Sequence, residues 1–231
     1  MPFGATVLDG GHTFFRLWAP QHEHVALALA PPGGAEQQHA MTRSASGWHQ
    51  LVRDTPVGSR YTFLLADGRR LADPASRSNP DGVHGTSEVI DPARYRWRHA
   101  AWPGRPWHEA VICEVHVGTF TEAGTFAAAA ERLPDLAATG FSAVELMPVA
   151  AFAGERGWGY DGVLPFAPHA AYGTPDDFRA FVDAAHALGL MVFLDVVYNH
   201  FGPEGSVLHT LAPEFFRHDH TTPWGAALNF D

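Results

Sequence analysis

The chain has 231 residues, a formal charge of −10 and 46% hydrophobic residues, enough apolar material for the core of one large or two small domains and too much for a disordered protein. All 15 basic residues are arginines, scattered singly or in pairs, so there is no basic stripe to neutralise a phosphate backbone and nucleic acid is not expected as a partner. Cys113 is the only cysteine, MPFGATVLDGG has no basic stretch leading into an apolar one, and no run reaches the roughly 18 apolar residues of a membrane span; a cytoplasmic protein with no membrane partner is expected.

The first hundred residues read as short strands cut by turns: TFFRLWAP (13–20), HVALALA (24–30), GWHQLVRD (47–54) and RYTFLLAD (60–67). In HVALALA, Val25, Leu27 and Leu29 fall on one face, and Pro31-Pro32-Gly33-Gly34 stops the strand. These segments predict a small β-sandwich over residues 1–98. The stretch that follows mixes Pro, Trp and Arg without a clean period, and reads as a connector (99–109) that packs its tryptophans.

From residue 110 the rhythm changes. AVICEVHV (110–117) is a near-continuous apolar run, FAAAAERLPDLAATG (126–140) is a helix that Pro134 kinks or divides and Gly140 ends, and SAVELMPV (142–149) is a second buried strand. Thr174 caps the next helix, with Pro175 first in it and Asp176 and Asp177 in its first turn; Phe178, Phe181, Val182, Ala185 and Leu188 repeat at helical spacing before Gly189. LMVFLDVVY (190–198) is the third strand. Apolar strands alternating with helices predict parallel β/α units, whose ligands sit beyond the carboxyl ends of the strands. Those ends carry His116 and Thr119, then Glu145 and Pro148, then Asp195, Asn199 and His200.

The segment 150–173 is far longer than the usual loop of roughly 2–6 residues, and its Trp158, Tyr160, Phe166 and Tyr172 suit stacking on sugar rings. Glu114, Glu145 and Asp195 lie within strand text, where a buried acid held by hydrogen bonds is expected. Their spacing defines no catalytic pair.

DVVYNH (195–200) resembles the first shared sequence region of the α-amylase superfamily of glycoside hydrolases. FRLWAP (15–20), DPASRSNPDGVHGTSEVID (73–91), and EVHVGTFT (114–121) followed by ELMPV and GWGYDGVLPFAPHAAYG, narrow the likeness to the maltooligosyltrehalose trehalohydrolases of that superfamily. The resemblance implies an immunoglobulin-like (early-set) β-sandwich joined to the first three β/α units of an incomplete (β/α)8 barrel over 110–231. It also implies a retaining hydrolase whose substrate is an α-1,4-glucan with a trehalose end, cleaved without a cofactor. By the same resemblance His200 hydrogen-bonds the sugar's 6-hydroxyl, Asn199 orders the loop beside it, Tyr160 is the platform under that ring, and Trp158 joins them in holding substrate. Asp195 is the structural acid that supports the arginine before the nucleophile.

The nucleophile and the acid/base belong to later barrel strands and are expected beyond Asp231, so no catalytic residue is expected in this chain and none of its activity in the chain alone. By the resemblance, the asparagine that Asn199 matches ligates calcium in some relatives, but the acidic ligands they add are not identifiable here, and no metal is expected. A glycogen branching enzyme shares the sandwich and the EVH start, and differs in passing the glucan to another glucan instead of water. A non-catalytic glucan-binding module and the remnant of an interrupted gene are further readings of the same text. Three parallel strands cannot close a barrel, so 1–98 is expected to fold independently while 110–231 stays loose.

Overall fold

The computed structural model describes residues 3–230, apart from the side chains at 218 and 221. The N-terminal part carries β1 (Gly4–Val7), β2 (His12–Trp18), β3 (Val25–Ala30), β4 (Gln37–Ala40), β5 (Thr42–Arg43), β6 (Trp48–Asp54), β7 (Arg60–Leu65), β8 (Arg70–Leu71) and β9 (Ser87–Glu88). Strands β1-β2-β6-β5 form one antiparallel sheet, and β4-β3-β7-β8, with β9 on β7, the other. Alternation decides what is buried: Thr13, Phe15 and Leu17 of β2 point inward, and Val25, Leu27 and Leu29 of β3 meet them together with Tyr61, Phe63 and Leu65 of β7. Phe15 lies edge-on to Tyr61 at 5.1 Å. Each such side chain contributes roughly 1.5–3 kcal/mol by leaving water. Strand β4 has no apolar alternation and forms because the free edge of β3 offers it a ladder, from Ala26↔Ala40 to Leu29↔Gln37.

The second part carries β10 (Ile112–Val115), α1 (Val117–Phe120), α2 (Phe126–Glu131), α3 (Leu133–Thr139), β11 (Ala143–Leu146), β12 (Ala150–Ala151), β13 (Leu164–Pro168), α4 (Pro175–Ala187), β14 (Met191–Leu194), α5 (Leu208–Leu211), β15 (Phe216–Thr222) and β16 (Gly225–Leu228). Strands β10-β11-β14 make a parallel sheet with Cys113, Val144 and Val192 in register. Val115, Val144, Leu146, Phe126, Leu133 and Phe181 share one core between that sheet and its helices. Pro134 sits at the start of α3 and divides the helical stretch, because it cannot donate into the turn before it. Thr174 closes a capping box with Asp177 at the start of α4. No helix among the described residues is long and apolar enough to cross a membrane.

Two expectations change. The third strand ends at Leu194, not at residue 198: Asp195 still donates its N–H to Leu146, but the next donor on β11's side is Pro148, which has none. Beyond that point Val196 and Tyr198 are exposed. The 150–173 segment is no plain loop, since β12 and β13 pair within it as an antiparallel hairpin.

The sandwich core also draws on the second part. Leu211 and Ala212, far along the second part, are fully buried in the sandwich core beside Phe15, Leu27 and Phe63. Residues 1–98 alone do not make up that core. The connector is also fastened, by Asp183 on α4: its carboxylate accepts the backbone N–H groups of Arg98 and His99, each at 2.9 Å. Trp102 of the connector stacks on His186 at 5.1 Å.

Candidate functional site

The polar rim forms where β10, β11 and β14 end. Glu114 and Glu145 are direct partners in the ladder, and Asp195 follows β14 on the neighbouring strand. Glu114 is exposed and Glu145 half-buried, so neither is the fully buried acid expected for a closed barrel interior. Tyr160, at the tip of the β12/β13 hairpin, donates its hydroxyl to Asp195 Oδ2 at 2.9 Å. That bond, helped by partial burial and by the negative charges of Asp195, Glu114 and Glu145, raises the Tyr160 pKa above the usual phenol value. The phenol therefore stays protonated as a donor, with its ring partly open to solvent.

The hairpin tip depends on Gly159. Its φ is +90°, and a Cβ there would lie 1.9 Å from the Pro148 carbonyl oxygen, so no other residue allows this approach. Trp158 is 74% exposed and opens onto a depression of ≈ 540 Å³ with His116, Thr119, Arg156 and Tyr172, while Gly159 and Gly162 border a cavity of ≈ 600 Å³ with Asp195, Tyr198, His200 and Phe166. His116 holds the tip from the other side: its Nε2 lies 2.8 Å from Gly157 O and 3.1 Å from the Tyr172 hydroxyl.

His200 lines the larger cavity but is only 6% exposed. Its Nε2 lies 2.9 Å from Tyr160 O and its Nδ1 3.1 Å from the Asn199 side-chain oxygen position. A neutral imidazole has one N–H, which belongs on Nε2 facing the carbonyl; the second contact is complementary when the Asn199 amide turns its NH2 to Nδ1. Trp224 stacks on the imidazole at 5.3 Å. Both ring nitrogens thus meet protein groups, and the Nε2 contact holds the backbone that carries Tyr160. Asn199 itself is exposed.

The structure brings together Tyr160, Asp195, Asn199 and His200, while Trp158 lines the depression beside His116. Tyr172 leaves the expected stacking group: it is 3% exposed, packed edge-on to Phe126 at 6.0 Å in the sheet–helix core. Trp224, which stacks on His200, and Phe230, which lines the larger cavity, carried no signal in the sequence, being isolated aromatics outside any periodic pattern.

Comparison with known proteins matches residues 75–213 to the α-amylase catalytic domain, and residues 2–92 to carbohydrate-binding module 48, the isoamylase N-terminal domain. A malto-oligosyltrehalose trehalohydrolase of Deinococcus radiodurans is 49% identical over 228 residues, 98% of this chain and 37% of that protein. A 1,4-alpha-glucan branching enzyme of Bordetella parapertussis is 39% identical over 214 residues, 85% of this chain and 29% of that protein. Among solved structures, a Salmonella typhimurium protein named after the alpha amylases superposes with TM-score 0.94 at 50% identity, over 100% of this chain and 39% of its own. A pullulanase of Anoxybacillus sp. LM18-11, complexed with maltotetraose, does so with TM-score 0.82 at 27% identity, over 98% and 40%. The chain spans well under half the length of the relatives it matches.

Proposed function

This chain belongs to the α-amylase catalytic-domain family, and from that premise we propose that it is the N-terminal part of a retaining glycoside hydrolase that cleaves the α-1,4 bond next to the terminal trehalose of a maltooligosyl-trehalose. The observation that carries this is the 49% identity to the Deinococcus radiodurans trehalohydrolase across 98% of the chain, higher than the 39% over 85% for the branching enzyme.

A retaining glycosidase flanks an oxocarbenium-like transition state with two carboxyl groups about 5–5.5 Å apart. Those two acids belong, in this reading, to barrel strands after the third. What residues 1–231 contribute is one wall of the cleft. The Tyr160 ring lies under the apolar face of the sugar being cleaved, excluding water, and its hydroxyl is fixed by Asp195 so that the ring has one orientation. His200 keeps the Tyr160 backbone in place through its 2.9 Å contact with the carbonyl, and Asn199 fixes the imidazole. Trp158 offers a second ring face about the Gly159 turn, suited to a sugar further along the glucan. The reaction belongs in the cytoplasm, where the free thiol of Cys113 stays reduced.

The test is to join residues 1–231 to a downstream barrel of relative-like length and incubate the product with maltooligosyl-trehalose. Release of trehalose, with kcat/KM reduced by roughly 30- to 1000-fold in Tyr160→Ala through the loss of about 2–4 kcal/mol of transition-state binding, is expected. Transfer of glucan to glucan without free trehalose would give the branching-enzyme reading instead. The 231-residue polypeptide alone is expected to release none.

A further inference from the structure

Between β14 and α5 the chain has no regular hydrogen-bonded structure of its own, yet its course is tightly bounded. Gly202 donates its N–H to Gly162 O at 3.1 Å, and a Cβ on Gly202 would meet the Asp161 carbonyl oxygen at 2.0 Å. Gly205 has φ +90°, and a Cβ there would lie 2.5 Å from Val83 Cγ2. Val83 belongs to the stretch between β8 and β9 of the sandwich, and forms a small core with Ala151, Val163 and Leu164 of the hairpin. A few residues later the chain dives into the sandwich. Leu211 and Ala212 are fully buried there, His22 Nε2 meets Thr210 O at 2.8 Å, and Arg69 donates to Thr210 Oγ1 at 3.3 Å. Helix α5 is a single turn, too short to hold its own shape, so its place is set by what it packs against.

We propose that the sandwich positions the cleft through this tether, with Leu211 as the anchor in its core and Gly202 and Gly205 as the contact points that press residues 199–205 against the hairpin tip carrying Tyr160. The geometry makes the link short. From Leu211 it is six residues back to Gly205, and three more to Gly202, whose neighbours Asp161 and Gly162 directly follow Tyr160. A segment with no ladder of its own takes its height from its two fastened ends, and loosening one end frees the middle by an ångström or more. A displacement of that size matters for an aromatic platform under a reacting sugar. Leu211 and Gly205 are positioning residues on this view, since neither touches the cleft. The claim leans on the proposed activity only for its consequence, because the coupling itself is a property of the chain whether or not the cleft takes a glucan.

Hydrogen exchange read by mass spectrometry on the 231-residue chain tests it. The double variant His22→Ala/Arg69→Ala removes two tether contacts at Thr210 from the sandwich surface without touching the core. Amides in 199–206 and 158–163 should then exchange about fivefold faster or more, with β2, β3 and β7 unchanged. Leu211→Ala should do the same more strongly, and Leu211→Met, which refills the volume, should restore the wild-type rates. If Leu211→Ala speeds exchange throughout the sandwich, the surface variant alone decides between coupling and its absence. Acceleration confined to 207–215, or none anywhere in the surface variant, overturns the proposal.

Discussion

Replacing Asp183 by Asn should loosen the connector from α4, and the structure gives the size of the effect. The carboxylate is 0% exposed, yet it accepts the N–H groups of Arg98 and His99 at 2.9 Å, His99 Nδ1 at 3.1 Å and the Tyr95 hydroxyl at 3.3 Å. Burial pushes its pKa up, but the two backbone donors and the His99 and Tyr95 side chains outweigh that and bring it from 3.8 down to about 2. At about 1.4 kcal/mol per pKa unit, the charged form stabilises the fold by about 2 kcal/mol. Because the folded pKa is the lower one, that stability is present above the unfolded value near 4 and is lost as pH falls from there through about 2. Asn has the shape of the protonated acid. Asp183→Asn should therefore lower the melting temperature at pH 7 by roughly 4–8 °C, and the two proteins should converge as pH approaches 2. Thermal unfolding followed by circular dichroism, with tryptophan emission reporting Trp102 on His186, measures both points. Equal melting temperatures at pH 7, or a gap that persists undiminished at the acid end, would refute the reasoning.

Asp73 predicts the opposite sign at a different pH. Burial pushes its carboxyl up to about 6 despite bonds from the Tyr61 hydroxyl at 2.7 Å and the Ala75 N–H at 2.8 Å. The folded state thus holds the proton more tightly, so stability should rise by up to about 3 kcal/mol as pH falls from about 6 to about 4, and Asp73→Asn should flatten that slope in a calorimetric pH series. The sandwich should also depend on α5. A polypeptide of residues 1–109 lacks Leu211 and Ala212, and should melt well below the full chain, by an amount comparable to Leu211→Ala, roughly 2–5 kcal/mol in urea titration. A resistant, equally stable 1–109 fragment in limited proteolysis would show that the sandwich folds without α5.

Much of the architecture is local, and local features are legible. Thr174-Pro175-Asp176-Asp177 announces α4 because a helix N-terminus needs acceptors for its unpaired N–H groups, and they lie within four residues of one another. Val25, Leu27 and Leu29 mark the inner face of β3 because side chains alternate along a strand wherever it lies. GWGYDGV and DVVYNH are legible as motifs for a related reason, since Gly159 supplies the positive φ of its own turn and Asp195, Asn199 and His200 follow one another in the text.

What the tertiary structure alone decided depends on partners distant in sequence. The length of β14 is settled by Pro148, just past the end of β11, which lacks the donor for a further rung. Tyr172 has the features of a sugar-stacking residue, but Phe126 helps bury it, and the ring of His200 is taken up by Tyr160, Asn199 and Trp224. Asp183 reads as one polar position on an amphipathic helix, because nothing in its neighbours says that the backbone of residues 98 and 99 comes to rest on it. Periodicity states which side of an element is apolar, whereas the burial of Leu211 in the sandwich depends on where the chain returns, which local pattern does not encode.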